Sequence, residues 1–338
     1  MTAAARLQKA WLRRGLAACV LWPLSALMSW LVRLHKLLFD LGVLRVHRLP
    51  VPVVVVGNLI VGGAGKTPTV MAVVALLKRQ GFHPGIVSRG YGRQDDSVQE
   101  VHSTTPASQS GDEPLLLRLR CDVPVFVGRD RVAAAQQLLS AYPTVNIIVS
   151  DDGLQHHRLA RDAQVVVFDE RGVGNGWLLP AGPLREPFAS ATPARTVVIY
   201  NAVQATTSRP GETVQRSLAG VVLLGDWWAG QPASTTALES LQSKPIFAAA
   251  GMAQPERFFS MLRDVGLAQL QALPLPDHFD FSTLPWPSEA LDVIVTEKDA
   301  VKLQPERVGS TCVWVAPLNF ALHPASNAAL LALLPPPQ

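Results

Sequence analysis

The chain has 338 residues, enough for about two domains, of which 48% are hydrophobic and 17% charged. This composition excludes an intrinsically disordered protein and a membrane protein with many spans. Three widely spaced cysteines, Cys19, Cys121 and Cys312, argue against a disulfide framework or a zinc ribbon and favour a reducing compartment.

The net charge of +4 is unevenly distributed along the chain. The first 48 residues hold eight Lys or Arg and one acid, a net +7, which leaves −3 for the other 290 residues. The basic excess therefore belongs to one terminal segment, and the slightly acidic body argues against a nucleic-acid partner. No protein partner is implied either.

The same terminal segment contains an uncharged run of 18 residues, Gly15 to Val32. As a helix it would extend about 27 Å, close to the ~30 Å hydrocarbon core of a bilayer. Basic residues flank it on both sides and Pro23 lies within it, so a single span and an in-plane anchor are both compatible with the sequence. A signal peptide or a buried helix are the alternatives. We expect residues 1–45 to form a membrane-associating helical segment.

From residue 51, short β-branched runs alternate with helical stretches, which is typical of an α/β protein. The strands are apolar throughout, which predicts a parallel sheet covered on both faces. The Gly- and Pro-rich stretch Arg171–Pro193 is expected to be a long functional loop. The predicted elements of this first lobe, residues 46–190, are the strand Val51–Val56, the helix Thr69–Gln80, the strands Gly85–Ser88 and Val123–Val127, the helix Arg129–Ala141, and the strands Val145–Ser150 and Gln164–Phe168.

A second α/β pattern predicts another lobe over residues 191–338. Its last helix ends at three prolines, which cannot continue it, and could pack back on the first lobe. The predicted elements are the strands Thr196–Tyr200, Val221–Leu224 and Pro245–Ala250, the helix Pro255–Val265, the strands Asp292–Thr296 and Cys312–Val315, and the helix Ala325–Leu334.

The most specific motif lies between the first strand and the first helix and is the run Gly62-Gly63-Ala64-Gly65-Lys66-Thr67. Glycines let backbone N–H groups surround phosphate oxygens, and the helix N-terminus adds its dipole. Lys66 is expected to contact the β- and γ-phosphates and Thr67 to bind Mg²⁺. The strict motif has glycine where this chain has Ile60, so the strand–loop–helix context supports the assignment against an ordinary glycine-rich turn.

A second nucleotide signal is the hydrophobic run Val145–Ser150, which leads into Asp151 and Asp152. Such carboxylates organise the metal of P-loop enzymes, and adjacent residues on an extended chain point to opposite faces, so one aspartate should lie nearer to Mg²⁺. A turn cap before Gly153 is the alternative. The guanine-recognition motif Asn-Lys-x-Asp is absent, so ATP is preferred over GTP.

Nine motifs follow one another along the chain: Gly57-Asn58, the glycine-rich loop with Pro68, Ser88-Arg89-Gly90-Tyr91-Gly92-Arg93, Gly111-Asp112-Glu113-Pro114, Val127-Gly128-Arg129-Asp130-Arg131, Asp151-Asp152-Gly153-Leu154-Gln155-His156, Leu179-Pro180-Ala181-Gly182-Pro183-Leu184-Arg185-Glu186, Asp277-His278-Phe279 and Thr296-Glu297-Lys298-Asp299-Ala300-Val301-Lys302. This ordered set resembles the tetraacyldisaccharide 4′-kinase family, the lipid A kinases of the bacterial inner membrane. The resemblance extends from the N-terminal helix to beyond residue 302, although Leu154 stands where many members have an aromatic residue.

The resemblance implies transfer of the γ-phosphate of ATP, with Mg²⁺, to the 4′-hydroxyl of an acylated glucosamine disaccharide 1-phosphate. The product would be lipid IVA, the bis-phosphorylated lipid A precursor of lipopolysaccharide biosynthesis, made at the cytoplasmic face of the inner membrane. The resemblance also implies two α/β/α sandwich lobes, the first with a P-loop parallel sheet, and a cleft between them where nucleotide and lipid meet.

The resemblance further implies catalytic roles for Asp112, His278 and Lys66. A sugar hydroxyl is a weak nucleophile and benefits from a base, here Asp112, paired with His278 on the other lobe. A base that needs both lobes would tie the reaction to closure of the cleft and limit hydrolysis of ATP. A helix N-cap role for Asp112 and a structural role for His278 are the alternatives.

Substrate contacts are expected from Arg89, Tyr91, Arg129 and Arg131, because arginine forks bind the 1-phosphate of the lipid. Gln155 and His156 could hydrogen-bond the sugar, although any of these residues could be an ordinary surface residue. The segment Glu297-Lys298-Asp299 has no assigned role. A regulatory P-loop NTPase that switches a protein partner and a non-catalytic nucleotide binder are the competing functions.

Overall fold

The computed structural model describes residues 11–93 and 95–337. Its strands are β1 (Val53–Gly57), β2 (Pro84–Ser88), β3 (Gln99–Glu100), β4 (Val125–Val127), β5 (Ile147–Asp151), β6 (Ala163–Asp169), β7 (Thr196–Asn201), β8 (Glu212–Thr213), β9 (Gln215–Leu218), β10 (Val222–Leu223), β11 (Ile246–Ala250), β12 (Leu270–Pro274), β13 (Asp292–Thr296), β14 (Cys312–Ala316) and β15 (Leu318–Ala321). Its helices are α1 (Leu16–Asp40), α2 (Lys66–Arg79), α3 (Ala107–Ser110), α4 (Asp112–Cys121), α5 (Arg131–Ala141), α6 (Leu224–Trp228), α7 (Thr235–Ser240), α8 (Pro255–Asp264), α9 (Glu297–Ala300) and α10 (Pro324–Leu331), with a 3₁₀ turn at Pro305–Arg307.

The larger sheet has eight strands in the order β3-β4-β2-β5-β1-β6-β7-β8, and only β3 runs antiparallel to its neighbour. The predicted parallel sheet is thus confirmed. Strand β1 lies between β5 and β6, with Val56 opposite Asp151. The connection that follows β1 leads toward β2 on one side of it, and the connection that follows β6 leads toward β7 on the other side. This is a topological switch point, and ligands of open α/β sheets bind at such points, beyond the carboxyl ends of the strands.

The second sheet has five strands in the order β10-β14-β13-β11-β12, parallel except for β10. A short antiparallel ribbon of β9 and β15 is separate from both sheets. The C-terminal helix α10 packs against β7 of the larger sheet. Apolar side chains of both sheets, such as Val54 and Val293, belong to one continuous hydrophobic core.

One strand lies in a different sheet from the one expected. The sequence analysis assigned the strand at Thr196–Tyr200 to the second lobe, but β7 pairs with β6 along its whole length and extends the larger sheet. An apolar strand fits equally well into either sheet, so its sequence does not identify its neighbours. The division of the chain at residues 45 and 190 stays a prediction, and sheet membership would move the second boundary beyond Thr213.

Helix α1 has 25 residues and is long and apolar enough to cross a membrane by length and composition. Only Ala18, Ser25 and Phe39 of this helix are buried, so the alternative of a buried N-terminal helix is wrong. The other face carries an exposed apolar stripe at helical spacing, formed by Leu16, Val20, Leu24, Leu27, Leu31 and Leu34.

The N-terminal segment contacts the body at Trp11, before α1, and at the middle and C-terminal end of the helix. The Ser25 hydroxyl donates to the carbonyl of Leu178 and accepts from the backbone N–H of Ala181, both at 2.8 Å. Five residues before the helix, Trp11 donates its indole N–H to the carbonyl of Pro180 at 2.9 Å. At the C-terminal end of the helix, the ring of Phe39 lies 5.7 Å from that of His157. The loop that receives the helix belongs to the predicted stretch Arg171–Pro193.

Candidate active site

The glycine-rich loop connects β1 to α2, as expected, with Lys66 as the first helical residue. Gly65 adopts a left-handed backbone with φ of +89°, and a Cβ there would lie 2.2 Å from the side-chain nitrogen of Asn201. Glycine is therefore required at this position on two grounds. The ammonium of Lys66 is buried and donates to the side-chain oxygen of Asn58 at 3.2 Å.

Three residues without an expected role donate side-chain hydrogen bonds to backbone carbonyls of the loop. Asn58 donates to the carbonyl of Gly62, and Asn201 donates to the carbonyl of Ala64, each at 3.1 Å. Arg171 donates to the carbonyls of Val61 and Gly63 at 3.1 Å. Because these carbonyls are turned toward side chains, the loop N–H groups are free to point the other way, toward a phosphate.

Asp151 ends β5 and is buried, so its carboxylate has little contact with solvent. Its Oδ2 accepts from the Ser88 hydroxyl at 2.9 Å, whereas Oδ1 is buried without a hydrogen-bond partner. Burial raises its pKa to about 7, and the charges of Glu113 and Asp152 act in the same direction. The charge of Lys66 lowers the pKa of Asp151 but does not outweigh burial, and Oδ1 is left without a hydrogen-bond partner.

The oxygen atoms of Asp151 and Thr67 fit Mg²⁺, which prefers oxygen ligands and keeps several of its water ligands. Asp151 Oδ1 is the available carboxylate oxygen, and the half-buried Thr67 is the second residue of α2. Among the described residues there is no cluster of three or more acidic, histidine or cysteine side chains for a metal. The remaining ligands of a bound Mg²⁺ would therefore be phosphate oxygens and water.

Asp152 makes different contacts from Asp151. Its two oxygens accept from Nη1 of Arg185 at 2.8 and 3.0 Å, and Oδ1 lies 3.7 Å from the ammonium of Lys66. Burial raises the pKa of Asp152, but the charges of Lys66 and Arg185 outweigh this and hold it below its ordinary value. The two aspartates thus make different contacts, as expected, but Asp152 follows the end of β5 with a left-handed backbone (φ of +48°) rather than continuing an extended chain. Asp152 is an ion-pair partner of Arg185 and Lys66.

The lobes meet at the pair Asp112 and His278. His278 Nδ1 lies 3.1 Å from Asp112 Oδ2, although the two residues are 166 positions apart in sequence. Asp112 begins α4 and comes from the first lobe, while His278 follows β12 of the second. The N-cap alternative for Asp112 is wrong, because Gly111 holds the N-cap position and Asp112 lies inside the helix.

Two lysines and the imidazole of His278, all from the second lobe, lie around the carboxylate of Asp112. Burial raises the pKa of Asp112. The hydrogen bond with His278 and the electrostatic effects of Lys302, His278 and Lys298 together lower it by more, so the pKa lies below the ordinary value. Asp112 is therefore ionised at neutral pH, as a proton acceptor must be.

A cavity of about 650 Å³ opens beside Asp152. Five of its lining residues are arginines, and the predicted substrate residues except Tyr91 are among them. The lining residues are Arg89, Asp96, Arg129, Asp130, Arg131, Asp152, Gln155, His156, Arg158 and Arg185. The excess of arginine over aspartate suits an anionic group with several acceptor oxygens.

The polar residues of this cavity differ in what they offer. Burial and the charge of Arg131 lower the pKa of His156 to about 4, so at neutral pH His156 is uncharged and suits a hydroxyl rather than a phosphate. Gln155 donates to Glu186 at 3.1 Å. Arg129 is exposed and pairs with Asp96 at 3.2 Å.

Tyr91 lies apart from the cavity lining. Its ring is 5.5 Å from that of His278, and 70% of its surface is exposed. The segment from Arg89 to Tyr91 thus links the basic cavity to the Asp112–His278 pair. The structure brings the glycine-rich loop, the aspartates, the cavity and the pair to the same edge of the larger sheet.

Comparison with known proteins is consistent with this arrangement. A family model described as tetraacyldisaccharide-1-P 4′-kinase (LpxK) matches residues 17–335. Two proteins called tetraacyldisaccharide 4′-kinase, from Methylibium petroleiphilum and Leptothrix cholodnii, are 56% and 52% identical, and the alignments cover 98% of this chain and 93% and 96% of theirs.

The fold is similar to the crystal structure of an "apo" form of LpxK from Aquifex aeolicus in complex with ATP. The TM-score is 0.78 at 26% identity, over 95% of this chain and 100% of that one. The family model spans nearly the whole chain, and relatives match at more than half identity. The chain therefore belongs to the tetraacyldisaccharide 4′-kinase family.

Proposed function

We propose that this protein transfers the γ-phosphate of ATP, with Mg²⁺, to the 4′-hydroxyl of tetraacyldisaccharide 1-phosphate. The observation that carries the proposal is the position of Asp152, which contacts Lys66 of the glycine-rich loop and also lines the basic cavity. A nucleotide on the loop and an anionic acceptor in the cavity would therefore lie side by side.

On the nucleotide side, the N–H groups from Gly62 to Gly65 and the ammonium of Lys66 would bind the phosphates. Thr67 and Asp151 would hold the metal, with Asp152 fixing Lys66. When bound, Mg²⁺ supplies charge neutralisation at the phosphoryl oxygens.

On the acceptor side, the arginines of the cavity would bind the 1-phosphate, and the neutral His156 with Gln155 would hydrogen-bond sugar hydroxyls. Asp112 would take the proton of the acceptor hydroxyl while Nδ1 of His278 orients the carboxylate. Both lobes contribute to this pair, so the base would be assembled only while the lobes are in contact.

We also propose that α1 lies in the plane of the cytoplasmic leaflet of the inner membrane. The body contacts the middle of this helix at Ser25 and its C-terminal end at Phe39, and it also contacts Trp11, which lies five residues before the helix. If the helix crossed the bilayer, the body segments that touch it would enter the hydrocarbon, where a loop exposed to lipid is not tolerated. An in-plane helix would bury only its exposed apolar stripe.

The apolar stripe can be tested with a double variant, Leu24→Glu with Leu27→Glu. Vesicle binding is expected to weaken at least tenfold, because two leucines lose burial of about 1.5–3 kcal/mol each. Flotation with vesicles of phosphatidylethanolamine and phosphatidylglycerol measures this. The control is Val203→Glu with Leu291→Glu, which changes two exposed apolar residues of the body. Unchanged binding, or resistance of the parent to alkaline carbonate extraction, would contradict the in-plane helix.

The reaction is tested by incubating the purified protein in detergent with γ-labelled ATP, Mg²⁺ and the tetraacyldisaccharide 1-phosphate. Label is expected at the 4′ position of the lipid. ATP hydrolysis without labelled lipid would contradict the proposed function and favour an NTPase that acts on a different acceptor or a protein partner.

A further inference from the structure

The segment Thr296–Lys302, to which the sequence analysis assigns no role, lies against helix α4. Its charged residues reach across the lobes to residues of that helix. Glu297 pairs with Arg120 at 3.1 Å, Lys298 with Glu113 at 3.5 Å, and Lys302 with Asp112 at 3.4 Å. At the start of α4, Lys302 therefore pairs with the proposed base, Asp112, and Lys298 pairs with the next residue, Glu113.

Lys302 is held in place by its own lobe. Its side chain is only 6% exposed, pairs with Oδ1 of Asp299 at 3.2 Å, and has its ammonium 5.3 Å from the centre of the Phe281 ring. Asp299 is itself fixed, because its Oδ2 accepts from the Thr296 hydroxyl at 2.7 Å and from the backbone N–H of Gly251 at 3.1 Å. The ammonium therefore has a fixed position that does not depend on Asp112.

The two closest contacts of the Asp112 carboxylate fall on the same oxygen. His278 Nδ1 and Lys302 Nζ both approach Oδ2, at 3.1 and 3.4 Å. Oδ1 takes neither contact and is the oxygen that can face an acceptor hydroxyl. Lys298 of the second lobe also acts on the Asp112 carboxylate, and Glu113 is its neighbour on the same helix. Two further acids lie behind these cations: Asp299 pairs with Lys302, and Asp277 pairs with Lys298 at 3.0 Å.

We propose that Lys302 is a positioning residue of the kinase reaction, which holds Oδ2 of Asp112 so that the carboxylate stays ionised with Oδ1 available to the acceptor hydroxyl. This inference rests on the proposed function, because Lys302 acts only through the base. Lys302 belongs to the second lobe, so it supports the base only while the lobes are in contact.

The charge of Lys302 is tested by Lys302→Gln in the full-length protein. Loss of a cation at this distance is expected to raise the pKa of Asp112 by about one to two units. Activity requires the ionised base, so kcat falls as the pH is lowered; we call this part of the pH profile the acid limb. The midpoint of the acid limb is expected about one to two pH units higher in the variant than in the parent. The KM for ATP is expected to remain within about twofold, since the nucleotide contacts are elsewhere.

Two further variants separate charge from packing. Lys302→Arg keeps the charge, so its acid limb is expected at the parent position even if kcat falls. Lys298→Gln removes an interface cation that ranks below Lys302 in its effect on Asp112, so a smaller shift is expected. A carbon-13 titration of the aspartate carboxyls, with Asp112 assigned from Asp112→Asn, measures the pKa directly.

The inference is overturned if Lys302→Gln lowers kcat equally at every pH, or if the acid limb moves as far in Lys302→Arg. Asp112→Asn distinguishes this failure from failure of the proposed base. If Asp112→Asn keeps the parent kcat, the base assignment is wrong and Lys302 has no base to position. If it loses turnover while the limb of Lys302→Gln stays in place, only the role of Lys302 is wrong.

Discussion

Replacing Lys66 with methionine is expected to lower kcat for lipid phosphorylation by about 10³-fold, the upper range for loss of one preorganised donor in a site. Lys66 is buried, and its ammonium is fixed by Asn58 at 3.2 Å and Asp152 at 3.7 Å. Methionine keeps much of the apolar stem, so the variant removes the charge with little loss of packing. Transfer of γ-labelled phosphate to the lipid in single-turnover conditions measures the effect.

Helix α2 offers a matched control for this variant. Lys78 lies in the last turn of the same helix and donates to the carbonyl of Cys121 at 3.1 Å. Lys78→Met should leave kcat within about twofold, as expected for a position away from the reacting groups. A Lys66→Met protein that folds and keeps kcat within about threefold of the parent would exclude Lys66 from the phosphate site.

Replacing Asp112 with asparagine is expected to lower kcat by about 10²–10⁴-fold, the usual contribution of a general base. Asparagine has the same shape but cannot accept the proton, so the KM for ATP should change little. His278→Ala should slow turnover less, because it removes only the group that orients the carboxylate. Steady-state rates at saturating ATP, with ATP binding measured separately, distinguish loss of chemistry from loss of affinity.

The C-terminal end of α4 provides the control for the aspartate. Asp122 follows the last residue of that helix, has an 89% exposed side chain and pairs only with Arg118 among the contacts described for it. Its backbone is left-handed with φ of +48°, a conformation that asparagine also tolerates. Asp122→Asn should therefore match the parent. Parent-like turnover in Asp112→Asn would mean that another group, or water, takes the proton.

The nucleotide half of the site could be predicted from sequence because its parts are local. The glycine-rich loop and Lys66 follow one apolar strand, and Asp151 ends another. Parallel strands bring their carboxyl ends to one edge, and the structure places Val56 opposite Asp151 in adjacent strands. The alternation of side chains along a strand does not explain how Asp151 and Asp152 separate, because β5 ends at Asp151 and Asp152 has a left-handed backbone with φ of +48°.

The parts that join distant segments could not be derived from spacing. Asp112 and His278 lie 166 positions apart, and only the family resemblance suggested that they pair. Arg171 and Asn201 support the loop by donating to backbone carbonyls, a contact with no characteristic sequence pattern. For Asn58, which donates to the carbonyl of Gly62, its place in a family motif was the only feature of the sequence that indicated a role at the loop.

The docking of α1 has a kinetic consequence for a protein that acts on a lipid. Ser25 ties the middle of the helix to the loop at Leu178 and Ala181, so with α1 in the membrane plane, as proposed, the body would be held next to the lipid surface. Enzyme and acceptor would then meet by diffusion in two dimensions, and the effective concentration is set by their density on the surface. Diluting the acceptor with inert detergent at constant bulk concentration should therefore slow turnover.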